Sequence, residues 1–358
     1  MARPTSVTIH TDALRHNLGV IRARASGSRI MAVVKAEGYG HGLERVARAL
    51  QGADAFGVAA LSDAERLRGA GLSQPIVLLS GFDDVGDLPQ LRRLNVETVV
   101  HHAPQLAMLE QGGEGDPIRC WLKVDTGMHR LGFAPDDVRD AHARLSAMPG
   151  VADDIVLMSH FASSDEFDNP QTRVQLRLFA EATSGLPGSR SLANSAAVLG
   201  WPGSHGDWVR PGGALYGVSA VEGKPGPVFG LQPAMTLSTK LLAVNRIRKD
   251  ERIGYGGTWQ CPDDMPVGVA AIGYGDGYPR HAPAGTPVMV NGRRADIIGR
   301  VSMDLMTIDL RGHPDARSGD PVMLWGSGLA VEDVAVAAGT IGYELICSIT
   351  QRVRFVEV

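Results

Sequence analysis

The sequence predicts an α/β protein, an N-terminal (β/α)8 TIM-type barrel followed by a mainly β C-terminal domain. Three observations carry that expectation. Short apolar runs alternate with amphipathic stretches up to about residue 225, the pattern of parallel βα repeats. Helical periodicity then nearly vanishes in favour of β-branched, alternating runs broken by Gly and Pro. Between the two regimes stands Gly223-Lys224-Pro225-Gly226-Pro227, a connection. The expected division is therefore 1–228 for the barrel and 229–358 for the β domain.

The first helix starts at Thr11, where Thr11-Asp12 can cap, and continues through Leu14, Leu18 and Ile21 at helical spacing. Strand candidates follow at Met31–Val34, Ala55–Ala60, Ile76–Leu79, Val96–Val100, Ile118–Val124, Ile155–Met158, Ser191–Ala193 and Trp208–Val209. The last two are weak as strands on their own. Helical stretches fall between them at Leu43–Leu50, Ala64–Ala70, Leu88–Leu94, Pro104–Leu109, Val138–Leu145 and Val174–Ala182. Eight repeats in little more than 200 residues fit a closed barrel better than an open doubly wound sheet, which stays open as an alternative. In the second part Met235–Ile247, Val267–Tyr274, Pro287–Val290, Ala295–Ile298, Leu305–Leu310 and Pro321–Leu324 read as strands. Asn291-Gly292 is a hairpin turn and Val331–Ala338 the single helix.

Composition narrows the function. At 358 residues with 44% apolar content the chain can bury a core in both parts. A net charge of -4 without a basic run disfavours a nucleic-acid partner. No segment approaches the roughly 20 apolar residues of a membrane span, and Met1–Thr8 lacks a signal-peptide core. Cys120, Cys261 and Cys347 are scattered without metal-ligand spacing, so three reduced thiols, no metal and a cytoplasmic location are expected.

Barrel chemistry sits at the C-terminal ends of the strands. Here the first strand ends in Lys35, followed by a Gly38, Gly40, Gly42 series that permits close backbone approach to a ligand. A lysine in that position either reaches solvent or stands partly desolvated, with a lowered pKa and a nucleophilic amine. The fifth strand ends in Lys123 and leads to Arg130, the sixth reaches His160, the seventh Asn194-Ser195, and the eighth Arg210-Pro211-Gly212-Gly213. Backbone N–H groups of Gly212 and Gly213, with the hydroxyls of Ser195 and Tyr39, could cradle a phosphate. Taken singly, these are ordinary loop residues, a tight turn, a structural arginine and a core histidine. Their joint placement at strand ends predicts one pocket.

These residues also carry a resemblance. Val34-Lys35-Ala36-Glu37-Gly38-Tyr39-Gly40-His41-Gly42 resembles the cofactor-lysine signature of alanine racemases. The likeness continues through Lys123 to Gly132, Ser159-His160-Phe161-Ala162, Ala193-Asn194-Ser195-Ala196 and Arg210-Pro211-Gly212-Gly213. It extends to Tyr216-Gly217, Gly254-Tyr255-Gly256, Gly273 to Gly277 and Gly299 to Asp304. The resemblance implies pyridoxal 5'-phosphate as cofactor, interconversion of L- and D-alanine, and a head-to-tail homodimer in which Tyr255 and Met303 serve the partner's barrel. D-Alanine for peptidoglycan is the implied use.

By the same resemblance Lys35 holds the cofactor and acts as base toward the D-enantiomer, with Tyr255 the base toward the L-enantiomer. Two bases on opposite faces are what racemisation needs. Arg210 is expected to face the pyridine nitrogen, and His160 to link Arg210 with Tyr255. Tyr39, Asn194, Ser195, Gly212, Gly213 and Tyr343 are expected at the cofactor, chiefly its phosphate. Arg130 is expected to contact cofactor and substrate carboxylate, with a carbamylated Lys123 orienting it. Tyr274, Met303 and Asp304 are expected at the substrate. The chain departs from the family pattern at Glu37-Gly38, where Asn or Asp followed by Ala is commoner, at Gly342 before Tyr343, and at Arg352-Val353-Arg354-Phe355, which lacks a frequent proline. Two other readings are a racemase of the same architecture preferring serine, and a cofactor-carrying barrel protein without activity.

Overall fold

The structure, a computed structural model, describes residues 3–113 and 115–358. It divides into two compact units: residues 15–215 with 220–224, and residues 3–14, 216–219 and 225–358.

The chain opens with β1 (Ser6–Ile9) and α1 (Thr11–Arg24). Leu14, Leu18 and Ile21 give α1 its buried stripe, with Asp12 in the first turn and Arg22 and Arg24 in the last, as the helix dipole favours. The next strands are β2 (Arg29–Val33), β3 (Ala55–Val58), β4 (Ile76–Leu78), β5 (Val96–Val100), β6 (Cys120–Lys123), β7 (Val156–Met158), β8 (Arg190–Ser191) and β9 (Trp208–Val209). These eight are parallel and close into a barrel, β9 returning to β2 through Ile30↔Val209. Helices α2 (Lys35–Gly40), α3 (Leu43–Ala49), α4 (Leu61–Gly69), α5 (Leu88–Leu94), α6 (Ala103–Gln111), α7 (Val138–Ser146), α8 (Gln171–Ala182) and α9 (Ser195–Gly200) complete the repeats. Met31, Ala55, Val77, Val99, Trp121, Val156, Met158 and Trp208 form one core cluster, with the Trp121 and Trp208 rings edge to face at 5.5 Å. Large rings there are matched by small Ala55, so the barrel centre is filled rather than hollow. The weak seventh and eighth strands are only two residues long, which is why they read poorly in sequence.

The second unit contains β10 (Met235–Ile247), β11 (Arg252–Ile253), β12 (Trp259–Gln260), β13 (Met265–Ala270), β14 (Pro287–Val290), β15 (Arg293–Ile298), β16 (Met306–Asp309) and β17 (Pro321–Trp325). The helices α10 (Val331–Ala338) and α11 (Gly342–Cys347) and the strand β18 (Arg354–Glu357) follow. Its sheet runs β13-β16-β15-β14-β17-β10-β1-β18, and β13 also pairs with the far half of β10. A register shift between Leu241 and Ala243 lets the long β10 serve β1 and β17 at one end and β13 at the other.

The boundaries differ from those expected at both ends of the barrel, since residues 216–219 and 225–228 fall in the second unit. Residues 3–14, placed in the barrel by sequence, belong to the second unit, because Val7 and Ile9 of β1 pair antiparallel with Leu237 and Met235 and parallel with Phe355 and Glu357. The expected strand to Tyr274 ends at Ala270, and Tyr274 opens a 3-10 turn instead. Among the described residues no helix is long and apolar enough to cross a membrane.

Candidate active site

Lys35 follows the buried run Ile30–Val34 and stands exposed where the strand ends. It opens α2 rather than a loop. Ala36, Glu37, Gly38 and Tyr39 have φ of 54°, 55°, 58° and 50°, one turn of left-handed helix. For residues with a Cβ this costs about 1–2 kcal/mol each, so neighbouring contacts must hold it. Gly38 donates to the Val34 carbonyl at 2.9 Å and Gly42 to that of Glu37 at 2.8 Å. A Cβ on Gly38 would come 2.8 Å from Val46 Cγ2. Outside, Arg66 grips the Glu37 carboxylate through both Nη atoms and holds Glu44 at 2.8 Å. The turn delivers the Tyr39 hydroxyl against Gly212, where a Cβ would lie 2.4 Å from it.

Ser195 Oγ accepts the Gly212 N–H at 2.9 Å and that of Ala214 at 3.2 Å, folding the loop after β9 around the start of α9. Gly213 begins the 3-10 turn Gly213–Tyr216. Asn194 caps α9: its Oδ1 accepts from Ala197 N–H at 3.0 Å and Ser164 Oγ at 2.9 Å. Tyr39, Ser195 and Gly212 thus come together as expected, while the Asn194 carbonyl oxygen is taken up by the fold.

Arg210 is 5% exposed and donates to Ser191 Oγ at 2.7 Å, the Ser159 carbonyl at 2.5 Å and the Leu192 carbonyl at 3.3 Å. Burial draws its pKa down to about 10, which still leaves a full cation at neutral pH. His160 is pushed down to about 3 by burial first and then by the charges of Arg210, Lys123, Arg130 and Lys35, so it stands neutral. Lys123, 8% exposed at the end of β6, is drawn to about 8 by burial and by Arg210, Arg130 and Lys35. Four cationic side chains, Lys35, Lys123, Arg130 and Arg210, therefore gather about His160 at a single end of the barrel. Such a field selects anionic ligands. Arg130 is presented by a turn that Asp125 builds, its Oδ1 accepting N–H bonds from Gly127, Met128 and His129 at 3.0, 3.1 and 3.0 Å.

The other expected residues lie in the second unit. Tyr255 is 69% exposed in a 3-10 turn between Gly254 and Gly256, both at positive φ. Tyr274 and Met303, 38% and 52% exposed, stand on segments joined by Tyr274 N–H to Ser302 O at 3.0 Å and Gly275 N–H to Met303 O at 2.9 Å. Asp304 does not offer a free carboxylate: Arg352 donates to it at 2.5 Å and Arg3 at 3.3 Å. Tyr343 lies on α11, a helix not anticipated from sequence.

Sequence reasoning also missed Ser191, which holds Arg210, and Gln175, fully buried on α8. Gln175 donates to the His160 carbonyl at 3.0 Å and accepts from Ala162 N–H at 2.9 Å. A polar residue at a buried helix position was the available signal.

The pattern described as alanine racemase, N-terminal domain, matches residues 9–220, and that of the C-terminal domain matches residues 234–357. The chain belongs to the alanine racemase family. It is 53% identical to the alanine racemase of Shewanella baltica, strain OS185, over 96% of both chains. The crystal structure of the biosynthetic alanine racemase from Pseudomonas aeruginosa superposes with a TM-score of 0.97 at 44% identity, covering 99% of each chain. Alanine racemase from Acinetobacter baumannii gives 0.93 at 36% identity, with 99% of this chain and 100% of that one covered. The barrel followed by a β domain is thus the alanine racemase architecture, and the chain is an isomerase of that family.

Proposed function

We propose that this protein interconverts L- and D-alanine with pyridoxal 5'-phosphate held in the barrel mouth, Lys35 and Tyr255 serving as the two bases. The observation that carries the reading is the convergence of Lys35, Lys123, Arg130, His160 and Arg210 at one end of the barrel, beside a loop where a Cβ on Gly212 would meet Tyr39. That loop fits a phosphate: glycine backbone and two hydroxyls, Tyr39 and Ser195, close without a bulky side chain. Tyr39, Ser195, Gly212, Gly213 and Tyr343 would hold the phosphate, with Asn194 shaping the loop and Arg210 at the ring nitrogen. Pyridoxal phosphate, when bound, supplies an electron sink that acidifies the α-C–H of an amino acid joined to it.

The chain's own residues do the rest. Arg210 is a fixed cation, held by two carbonyls and a hydroxyl, and would disfavour a proton on a pyridine nitrogen held beside it. With the cofactor bound, that would limit charge spreading and with it side reactions such as transamination. Neutral His160 can pass hydrogen-bond polarity from Arg210 toward Tyr255 without adding a charge. The Lys123 amine, easily neutralised, is suited to form a carbamate by adding to carbon dioxide with loss of one N–H proton; the resulting anion would orient Arg130 toward the substrate carboxylate. Lys35 Nζ removes or returns the α-proton on one face, and the Tyr255 phenol does so on the other. The exposure of Tyr255 and Met303 supports their service to a partner's barrel in a head-to-tail homodimer. Tyr274 and the Met303 backbone then stand at the substrate carboxylate. A cytoplasmic place and supply of D-alanine for peptidoglycan complete the reading.

Enantiomer interconversion by the cofactor-loaded protein tests it, with L-alanine and L-serine offered separately and products separated on a chiral column. Rapid D-alanine with little D-serine is expected. A serine preference would reassign the substrate, and bound cofactor without turnover would overturn the enzymatic reading. Lys35→Ala is expected to abolish both activity and the visible absorbance of bound cofactor. Tyr255→Phe is expected to keep the cofactor and make α-hydrogen exchange depend on which enantiomer is offered; equal loss from both would reject the two-base assignment.

A further inference from the structure

A cluster of four charged side chains in the second unit has no part in the mechanism above. Asp276 is fully buried, and its Oδ2 accepts from Arg3 at 2.7 Å and from the Gly273 N–H at 3.1 Å. Its Oδ1 lies 3.5 Å from Arg352 Nε. Arg352 reaches on to Asp304 Oδ1 at 2.5 Å, and Arg3 donates both to that oxygen at 3.3 Å and to the Asp304 carbonyl at 3.0 Å. Two cations and two anions thus form a neutral quartet around a carboxylate that would be costly to bury alone.

The quartet encloses the two segments that carry Tyr274 and Met303. Gly275 has no room for a side chain: a Cβ would lie 2.3 Å from Arg352 Nη1 and 3.0 Å from the Met303 carbonyl. At Gly273 a Cβ would lie 2.2 Å from the Ser302 carbonyl. Thr350 draws in the chain that carries Arg352, donating through Oγ1 to the Gly275 carbonyl at 2.9 Å and through N–H to the Asp276 carbonyl at 3.2 Å. Backbone packed this closely leaves the two segments little room to shift separately, and both arginines bond to it through Asp276 and Asp304.

We infer that Arg3, Asp276, Arg352 and Asp304 form a clamp that positions the Met303 backbone and the Tyr274 ring, and so governs how tightly the substrate carboxylate is held. The inference rests on the proposed function, in which those two residues meet the substrate. Asp304 becomes a positioning residue. Its charge, neutralised by Arg352 and Arg3, no longer repels an incoming carboxylate, and substituting Arg352 by an apolar residue would restore that repulsion while loosening the segment. Geometry and charge thus push in the same direction, toward weaker substrate binding with little change in the bond-making step.

The test uses Arg352→Met and Arg352→Lys in the cofactor-loaded full-length chain. For Arg352→Met, KM for L-alanine is expected to rise about tenfold or more with kcat within about twofold, the signature of lost uniform binding. Arg352→Lys should recover part of the loss by keeping the charge without the fork. Hydrogen exchange of the cofactor-free proteins supplies a second readout: residues 273–277 and 302–305 should exchange faster in Arg352→Met, the rest of the second unit unchanged. An unmoved KM in a racemising variant, or exchange raised evenly across the unit, would overturn the clamp. If Arg352→Met does not fold, Arg352→Lys carries both measurements, with the same directions and smaller changes. A wild-type protein that fails to racemise alanine would overturn the proposed function and the substrate half of this inference together.

Discussion

Arg210 Nη2 donates to the Ser159 carbonyl at 2.5 Å, joining the strand end before His160 to the loop that follows β9. The guanidinium thereby ties neighbouring barrel repeats to one another as well as supplying charge. Replacing Arg210 with Met would leave two buried carbonyls and the Ser191 hydroxyl without this donor. At about 1–3 kcal/mol for each buried group left unsatisfied, a loss of about 3 kcal/mol or more is expected. A thermal melt of the cofactor-free protein checks this, and an unchanged midpoint would mean that water replaces the guanidinium.

Gly212 and Tyr39 form a second testable pair. Gly212→Ala places a methyl 2.4 Å from the Tyr39 hydroxyl, so the ring must move away from the loop. Affinity for pyridoxal phosphate is expected to fall about tenfold, read by equilibrium dialysis. Tyr39→Phe on the Gly212→Ala background should cost less than the sum of the single changes, since it removes the clashing oxygen. Strict additivity would show that the two residues act separately.

His160 sets a pH dependence. Its folded pKa, about 3, lies below the ordinary histidine value of 6.5, so between these limits the unfolded chain binds the extra proton. The stability lost by this group therefore grows as pH falls from 6.5 toward 3, and it is absent above 6.5. His160→Asn should flatten the acid limb of a plot of melting temperature against pH. Parallel acid limbs for the two proteins would place the proton elsewhere.

Much of the barrel was legible because its strands are consecutive apolar runs and its candidate site residues come at their ends. Lys35 after Met31–Val34 is the clearest case. The left-handed turn was not legible, since Ala36, Glu37 and Tyr39 have no local reason to take positive φ; backbone bonds from Gly38 and Gly42 and the grip of Arg66 on Glu37 hold it. β1 and β18 escaped notice because four-residue strands show too little alternation and their partners are remote. Asp304 was expected at the substrate through resemblance, but no sequence pattern could show that its carboxylate is taken by Arg3 and Arg352. Lone arginines carry no spacing signal.

Lys123 gives a further prediction. With its pKa near 8, about a tenth of the amine is neutral at pH 7, far more than for an ordinary lysine, so carbon dioxide should add there in preference to ordinary lysines. Carbon-13 NMR under labelled bicarbonate is expected to show one carbamate signal that Lys123→Ala removes. A signal surviving that change would assign the carbamate to another lysine.

The pairing of Ile9 with both Met235 and Glu357 bears on how the molecule is made. On the ribosome β1 emerges well before either neighbour, and the whole barrel is synthesised in the interval. The strand must wait with its ladder groups unpaired, and the sheet cannot be completed until residues 354–357 have left the exit tunnel. Completion of this sheet therefore waits for the last of its strands, and a chain interrupted before them would present an unprotected edge at Val7 and Ile9, open to chaperones.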